Sequence, residues 1–268
     1  MDDFHVDWHY YAEGNPKSTP YLFLHGFMGD GSVWLPIMKE LSADIYAVAP
    51  DLPGHGKTQV DQEKYSCDIL VHALVKFAAE RFAKPPVVVG YSMGARIALY
   101  MVQTHPDEVS GLILESPSPG IEDEKERHNR LELDKKRADD MRRVGLPDFL
   151  KEWYTQPIYS SLADKPEMVA RLIEKKSRGD AEMLARTIVC LSPGAQPSLW
   201  HHLGHWQKPT LIIAGEKEQK YRDIARRMAA VMPTATLSII PNAGHIVHLE
   251  NYPEFMAALK FFVSTYIL

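Results

Sequence analysis

Apolar and polar positions change their period several times along the chain. Phe4 to Tyr11, "FHVDWHYY", alternates, which predicts a strand with one wet face. Tyr21 to Gly26, "YLFLHG", is a continuous apolar run ending at His-Gly, which predicts a buried strand entering a loop. "GSVWLPIMKEL" then predicts a helix, and "IYAVAPDLPGHG" repeats a strand followed by a Pro/Gly turn. "SCDILVHALVKFAAERFA" has apolar residues at helical spacing. "PPVVVGYS" reads as a strand, "MGARIALYMVQTHP" as a helix and "GLILES" as a further strand. Strands alternating with helices predict an α/β fold with a mostly parallel sheet covered on both faces.

The alternation stops at "SPSPG", Ser116 to Gly120. From 121 to 206 the pattern predicts helices and loops without a strand. "EDEKERHNRLELDKKRADDMRR" mixes charges of both signs and predicts a solvated helix. Strands resume in "TLIIAGE" and "TLSIIPNAGH", and "NYPEFMAALKFFVSTYIL" predicts a terminal helix. The expected organisation is a core of residues 1–120 and 207–268, interrupted by a helical insertion at 121–206. An insertion at the carboxyl edge of a parallel sheet overlies the ligand crevice, so the segment is a candidate lid.

Composition narrows the function classes. The chain has 268 residues, 45% hydrophobic, with a net charge of −5. That balance gives no basic face for nucleic acid. Two cysteines, Cys67 and Cys190, make no disulfide framework and point to a reducing, cytoplasmic setting. The acidic start "MDDFHVDWHYYAEG" lacks the apolar core of a leader, and no apolar run is long enough to span a bilayer. The expectation is a soluble cytoplasmic protein acting on a small molecule. Nothing in the sequence sets the oligomeric state.

Gly90-Tyr91-Ser92-Met93-Gly94 is a G-x-S-x-G sequence between a predicted strand and helix. A tight turn there presents the serine hydroxyl at the sheet edge near a helix N-terminus. A hydroxyl needs a base to take its proton. His245, in the Gly-rich loop of "PNAGHIVHLENYPEF", is the candidate, with His248 as its neighbouring competitor. The imidazole needs a carboxylate, and "AGEKEQKY" offers Glu218, with Glu216 as the alternative. The order Ser92, Glu218, His245 is that of α/β-hydrolases. The oxyanion donors expected for that order are the N–H groups of Met93 and Phe27. His25 is expected to support its loop, and Asp51 and His55 to build a turn. Serine at the elbow disfavours epoxide hydrolase and haloalkane dehalogenase chemistry, which needs aspartate there.

Six stretches carry a narrower resemblance: "LHGFMGDGSVW", "DLPGHGKT", "VVGYSMGARIALY", "LILESPSPGIEDEKERHNR", "EWYTQPIYSSL" and "NAGHIVHLENY". Together they resemble the 2-succinyl-6-hydroxy-2,4-cyclohexadiene-1-carboxylate synthases of menaquinone biosynthesis, nearly end to end. The resemblance implies an α/β-hydrolase fold with a helical lid and a lyase activity. The expected reaction eliminates pyruvate from an enolpyruvyl ether after proton abstraction by Ser92, activated by His245. It implies no metal and no organic cofactor. The expected substrate is a polycarboxylate. Arg96, one helical turn after Ser92, and Arg127 in the predicted lid are its expected anchors. Arg130 is a third choice, and the resemblance implies that Lys175 or Lys176 replaces a further family arginine. Tyr91 and Trp153 are expected pocket walls. The chain departs from the family in carrying Glu218 where aspartate is usual, and in its "ESPSPG" loop. A carboxylesterase or carbon–carbon-bond hydrolase on the same triad, or a ligand receptor on the same fold, are the competing readings.

Overall fold

The computed structural model describes residues 4–60 and 65–267. The acidic Asp2-Asp3 start and the final Leu268 of the expected terminal helix lie outside the described residues.

Phe4 to Tyr11 forms two short strands rather than one. They are β1 (Val6–Asp7) and β2 (Tyr10–Glu13). The break falls at His9, whose N–H donates to Thr58 Oγ1 and whose carbonyl accepts from Asp51 N–H. The sheet contains β3 (Thr19–Leu24), β4 (Ile45–Pro50), β6 (Val87–Tyr91), β7 (Gly111–Glu115), β8 (Thr210–Gly215) and β9 (Ala235–Ile240) as well as β2. β1 pairs instead with β5 (Gln59–Val60) in a separate antiparallel ribbon. The seven-stranded order is β2-β4-β3-β6-β7-β8-β9. Only β2 runs antiparallel to its neighbour; every other pairing is parallel.

Alternate residues of the strands enter two cores. Leu22, Leu24, Val88, Leu112, Leu114 and Ile212 pack on one face, under α2 (Cys67–Arg81), α3 (Met93–Thr104) and α7 (Gln219–Val231). Tyr21, Phe23, Val87, Val89, Ile113 and Ile213 pack on the other, under α1 (Leu35–Leu41) and α9 (Tyr252–Tyr266). Burial on both faces explains why these strands read as continuous apolar runs.

Between β7 and β8 the elements are helical: α4 (Glu124–Trp153), α5 (Pro166–Lys176), α6 (Ala181–Cys190) and short 3₁₀ turns. Asp123 starts α4 by accepting from Glu126 N–H at 2.7 Å. Gly145, at φ 76°, breaks its path just before Pro147. The helix is not solvated all round. Ala138, Met141 and Leu150 join Leu184 and Ile188 of α6 in a third core, which reaches Met28 and Ile246 in loops of the sheet.

The sheet order reverses at β3, which has β4 on one side and β6 on the other. The loops leaving β3 and β6 therefore part there and open a crevice at the carboxyl edge.

Candidate active site

Ser92 leaves β6 at φ 51°, ψ −105°, a backbone state that side chains rarely adopt. Its N–H donates to Glu115 O at 2.9 Å, which ties the turn to β7. The flanking glycines make the turn possible. A Cβ on Gly90 would lie 2.6 Å from Ala95 backbone atoms, and one on Gly94 2.2 Å from Leu24 O. Small residues thus let α3 close onto β3 and β6. Met93 is the first residue of α3, so its N–H has no carbonyl one turn earlier in the helix. Phe27 follows β3, whose Leu24 is in register with Gly90 of β6. The two expected oxyanion donors thus come from loops on adjacent strands.

His245 follows β9, and its Nε2 is 3.0 Å from Ser92 Oγ. The ring is buried against Tyr221, with centroids 4.5 Å apart. Burial pushes its pKa down to about 3, helped by Lys176, His248 and Lys220 nearby. The imidazole is therefore neutral and able to accept the serine proton. His248 does something else. Its Nδ1 lies 2.8 Å from Glu115 Oε2, and its N–H donates to Glu115 Oε1 at 3.1 Å. Both groups are buried beside Trp34. Of the two histidines, His245 is the one within reach of the Ser92 hydroxyl.

Glu218 is buried in the same cavity, and its carboxylate caps α7 by accepting from Tyr221 N–H at 2.5 Å. Burial raises its pKa, and that Tyr221 hydrogen bond opposes the rise. His245 Nδ1 has no hydrogen-bond partner among the described residues. Glu216 is exposed and accepts from Asn242 N–H at 3.2 Å. Of the two glutamates, Glu218 alone lines the cavity.

The cavity above Ser92 measures about 870 Å³. Arg96, Arg130 and Arg137 line it, as do Tyr91 and Trp153. Arg96 is buried, and its Nη1 donates to Leu191 O at 2.6 Å and to Gln196 Oε1 at 2.5 Å. Burial lowers its pKa to about 10, which leaves it cationic at neutral pH. Asp134, fully buried, accepts from Arg130 Nε at 2.8 Å, Arg137 Nη1 at 2.9 Å and Ser192 Oγ at 2.8 Å. It holds two guanidinium groups at the cavity wall. Arg137 also lies over Trp153, 5.1 Å from its ring, and the Trp153 Nε1–H donates to Tyr159 OH at 3.0 Å.

Arg127 is not among the lining residues. The cavity stripe of α4 runs through Glu126, Asn129, Arg130, Leu133, Asp134 and Arg137. Arg127 lies about 100° round the helix from Glu126, on the stripe of Leu131 and Lys135, which face a second, smaller cavity. The chain thus presents Arg130 and Arg137 where the sequence favours Arg127.

Lys175 pairs with Asp30 at 3.2 Å on the surface. Lys176 behaves differently. It is half-buried, 5.6 Å from the Tyr154 ring, and has no ion pair among the described residues. Burial, with Lys175 beside it, lowers its pKa to about 8. His25 supports its loop as expected, donating from Nδ1 to Gly26 O at 2.8 Å and accepting Leu52 N–H at Nε2 at 2.9 Å. Asp51 builds the neighbouring turn by accepting from Gly31 and Lys57 N–H. Among the described residues no cluster of His, Cys, Asp or Glu is suited to hold a metal, and no helix is long and apolar enough to cross a membrane.

A strained serine elbow, a buried histidine and a crevice at the sheet reversal define a serine–histidine site of the α/β-hydrolase class. Residues 21–259 match the model of the alpha/beta hydrolase family. The chain is 32% identical over 260 residues to 2-succinyl-6-hydroxy-2,4-cyclohexadiene-1-carboxylate synthase of Photorhabdus laumondii, covering 93% of this chain and 87% of that one. It is 34% identical over 266 residues to the chloroplastic protein PHYLLO of Arabidopsis thaliana, covering 93% of this chain but only 16% of that much longer protein. The structure of MenH from S. aureus superposes with a TM-score of 0.90 at 30% identity, over 96% of this chain and 97% of that one. The chain belongs to the alpha/beta hydrolase family and, within it, to the 2-succinyl-6-hydroxy-2,4-cyclohexadiene-1-carboxylate synthases.

Proposed function

We propose that the protein is a carbon–oxygen lyase that converts 2-succinyl-5-enolpyruvyl-6-hydroxy-3-cyclohexene-1-carboxylate into 2-succinyl-6-hydroxy-2,4-cyclohexadiene-1-carboxylate and pyruvate. The observation that carries this reading is the Ser92–His245 contact in a cavity whose wall includes Arg96, Arg130 and Arg137. That arrangement suits an anionic substrate that needs a base, and full-length relatives bear the product's name.

His245 Nε2 takes the Ser92 proton as Ser92 Oγ takes the ring C2 proton beside the succinyl ketone. The C2–H electron pair forms C2=C3, the C3=C4 pair moves to C4=C5, and the C5–O bond breaks. The leaving enolpyruvate is protonated to pyruvate, so no water is consumed. Negative charge that develops on the ketone oxygen meets the N–H groups of Phe27 and Met93. Arg96, Arg130 and Arg137 pair with carboxylates, a role suited to a planar guanidinium fork. Tyr91 and Trp153 wall the ring. Glu218 is the proposed acid of the triad, acting on His245 Nδ1 after leaving the α7 cap. Residues 121–206 are proposed to act as the lid. No step calls for a metal or an organic cofactor.

Two variants test the roles. Ser92→Ala is expected to return pyruvate formation to the spontaneous rate. Arg96→Ala is expected to lower kcat/KM on the tricarboxylate about 100-fold, the loss of about 3 kcal/mol typical of a broken buried charge pair. Its effect on a neutral ester, if turned over, should stay within a few-fold. Equal losses on both substrates would make Arg96 structural and count against the reading.

A further inference from the structure

His245 sits between two backbone N–H groups that point to one carboxylate. Gly244 N–H donates to Glu250 Oε2 at 3.0 Å, and Ile246 N–H donates to Glu250 Oε1 at 3.1 Å. The Glu250 side chain is 0% exposed. Its carboxylate also meets Lys165 Nζ, 3.4 Å from Oε2. Lys165 precedes α5 in the helical insertion, whereas Gly244, Ile246 and Glu250 belong to the sheet's last loop and α8 (Val247–Glu250).

We infer that Glu250 is a positioning residue for His245, clamping the Ala243–Gly244 and His245–Ile246 peptide units that bracket it, and that Lys165 joins this clamp to the insertion. The inference rests on the proposed role of the Ser92–His245 pair. The loop has other ties: Ser116 Oγ donates to His245 O at 2.9 Å, and Glu115 holds His248. Glu250 alone among these side chains takes the N–H groups immediately before and after His245. Holding these two planes restrains the short backbone stretch that aims the His245 Cα–Cβ bond, and with it the imidazole, at Ser92. A buried carboxylate suits this task because each oxygen accepts a charge-assisted hydrogen bond. It also needs a counter-charge, and Lys165 supplies one. A glutamine of the same shape has one acceptor oxygen and an NH₂ group. The NH₂ would face a backbone N–H, so one half of the clamp would become a donor–donor contact. Neither Glu250 nor Lys165 lines the cavity, so neither is expected to hold substrate.

The test compares wild type with Glu250→Gln, Lys165→Met and the double variant. Reactivity of Ser92 toward a fluorophosphonate is measured first, because it needs the Ser92–His245 pair but not the proposed substrate. Pyruvate release then gives kcat and KM. Glu250→Gln is expected to slow labelling and kcat together by about 10- to 100-fold, the scale of a misplacement near 1 Å, with KM within about two-fold. Lys165→Met is expected to slow both several-fold, and the double variant to be no slower than Glu250→Gln, because Lys165 acts through Glu250. A folded Glu250→Gln variant with wild-type labelling and kcat would overturn the inference, as would fully additive effects in the double variant. If Glu250→Gln fails to fold, Lys165→Met decides alone: unchanged labelling overturns the coupling. Normal labelling without pyruvate release by wild type would overturn the lyase reading and leave the clamp supported or refuted by labelling.

Discussion

At the scale of single residues, burial sets the chemistry. His245 is neutral because desolvation, and then the nearby positive charges, hold its pKa near 3. A base must be unprotonated to work, so the base itself should be lost only as pH drops through that value. The acid limb of kcat/KM is therefore expected well below the ordinary imidazole pKa of about 6.5. Bound carboxylates add negative charge beside the ring and raise its pKa, so the acid limb of kcat should lie at higher pH than that of kcat/KM. A pH–rate profile with both limbs near 6.5 would contradict this account. The serine elbow was legible because its backbone admits few residue types. The Glu115–His248 pair was not, since nothing local links residues 133 positions apart. Lys176 was hidden for a similar reason: its neighbour Lys175 lies at the surface, and sequence does not say which of two adjacent lysines turns inward.

At the scale of elements, the strands were readable and the phase of α4 was not. Strands buried on both faces leave apolar runs, and the Gly and Pro residues after them mark the loops that carry Ser92, Phe27 and His245. Helix α4 carries charge on every side over its first turns, so no apolar stripe announces which face looks inward. Only three-dimensional packing shows that Arg130 and Arg137, with Asp134 between them, face the cavity. Arg130→Ala is accordingly expected to lower kcat/KM on the tricarboxylate at least ten-fold, and Arg127→Ala less than two-fold. Steady-state kinetics on the two variants checks the assignment; the reverse order would place the cavity stripe on the other face. Asp134→Ala strips the shared counter-charge from two arginines and is expected to cost about 3 kcal/mol of stability, readable by urea unfolding. The single strand expected from Phe4 to Tyr11 fails at His9, because that backbone bonds with Thr58 and Asp51 rather than continuing a ladder.

At the scale of the whole molecule, an α/β core carries the serine, the histidine and the proposed oxyanion donors, and a helical insertion adds Arg130 and Arg137 to the cavity wall. Arg96 joins the two. It rises from α3 in the core and is held by Leu191 and Gln196 of the insertion. On the proposed division of labour the core activates a hydroxyl and the covering segment selects what meets it, since the fold alone does not set the chemistry. The central claim is that this site eliminates pyruvate from an anionic enolpyruvyl ether. The direct measurement incubates the purified protein with that ether and follows pyruvate and the diene absorbance together. The account predicts equimolar pyruvate and diene, formed far faster than the spontaneous elimination and returned to the spontaneous rate by Ser92→Ala. A wild-type rate no greater than the spontaneous one would contradict it.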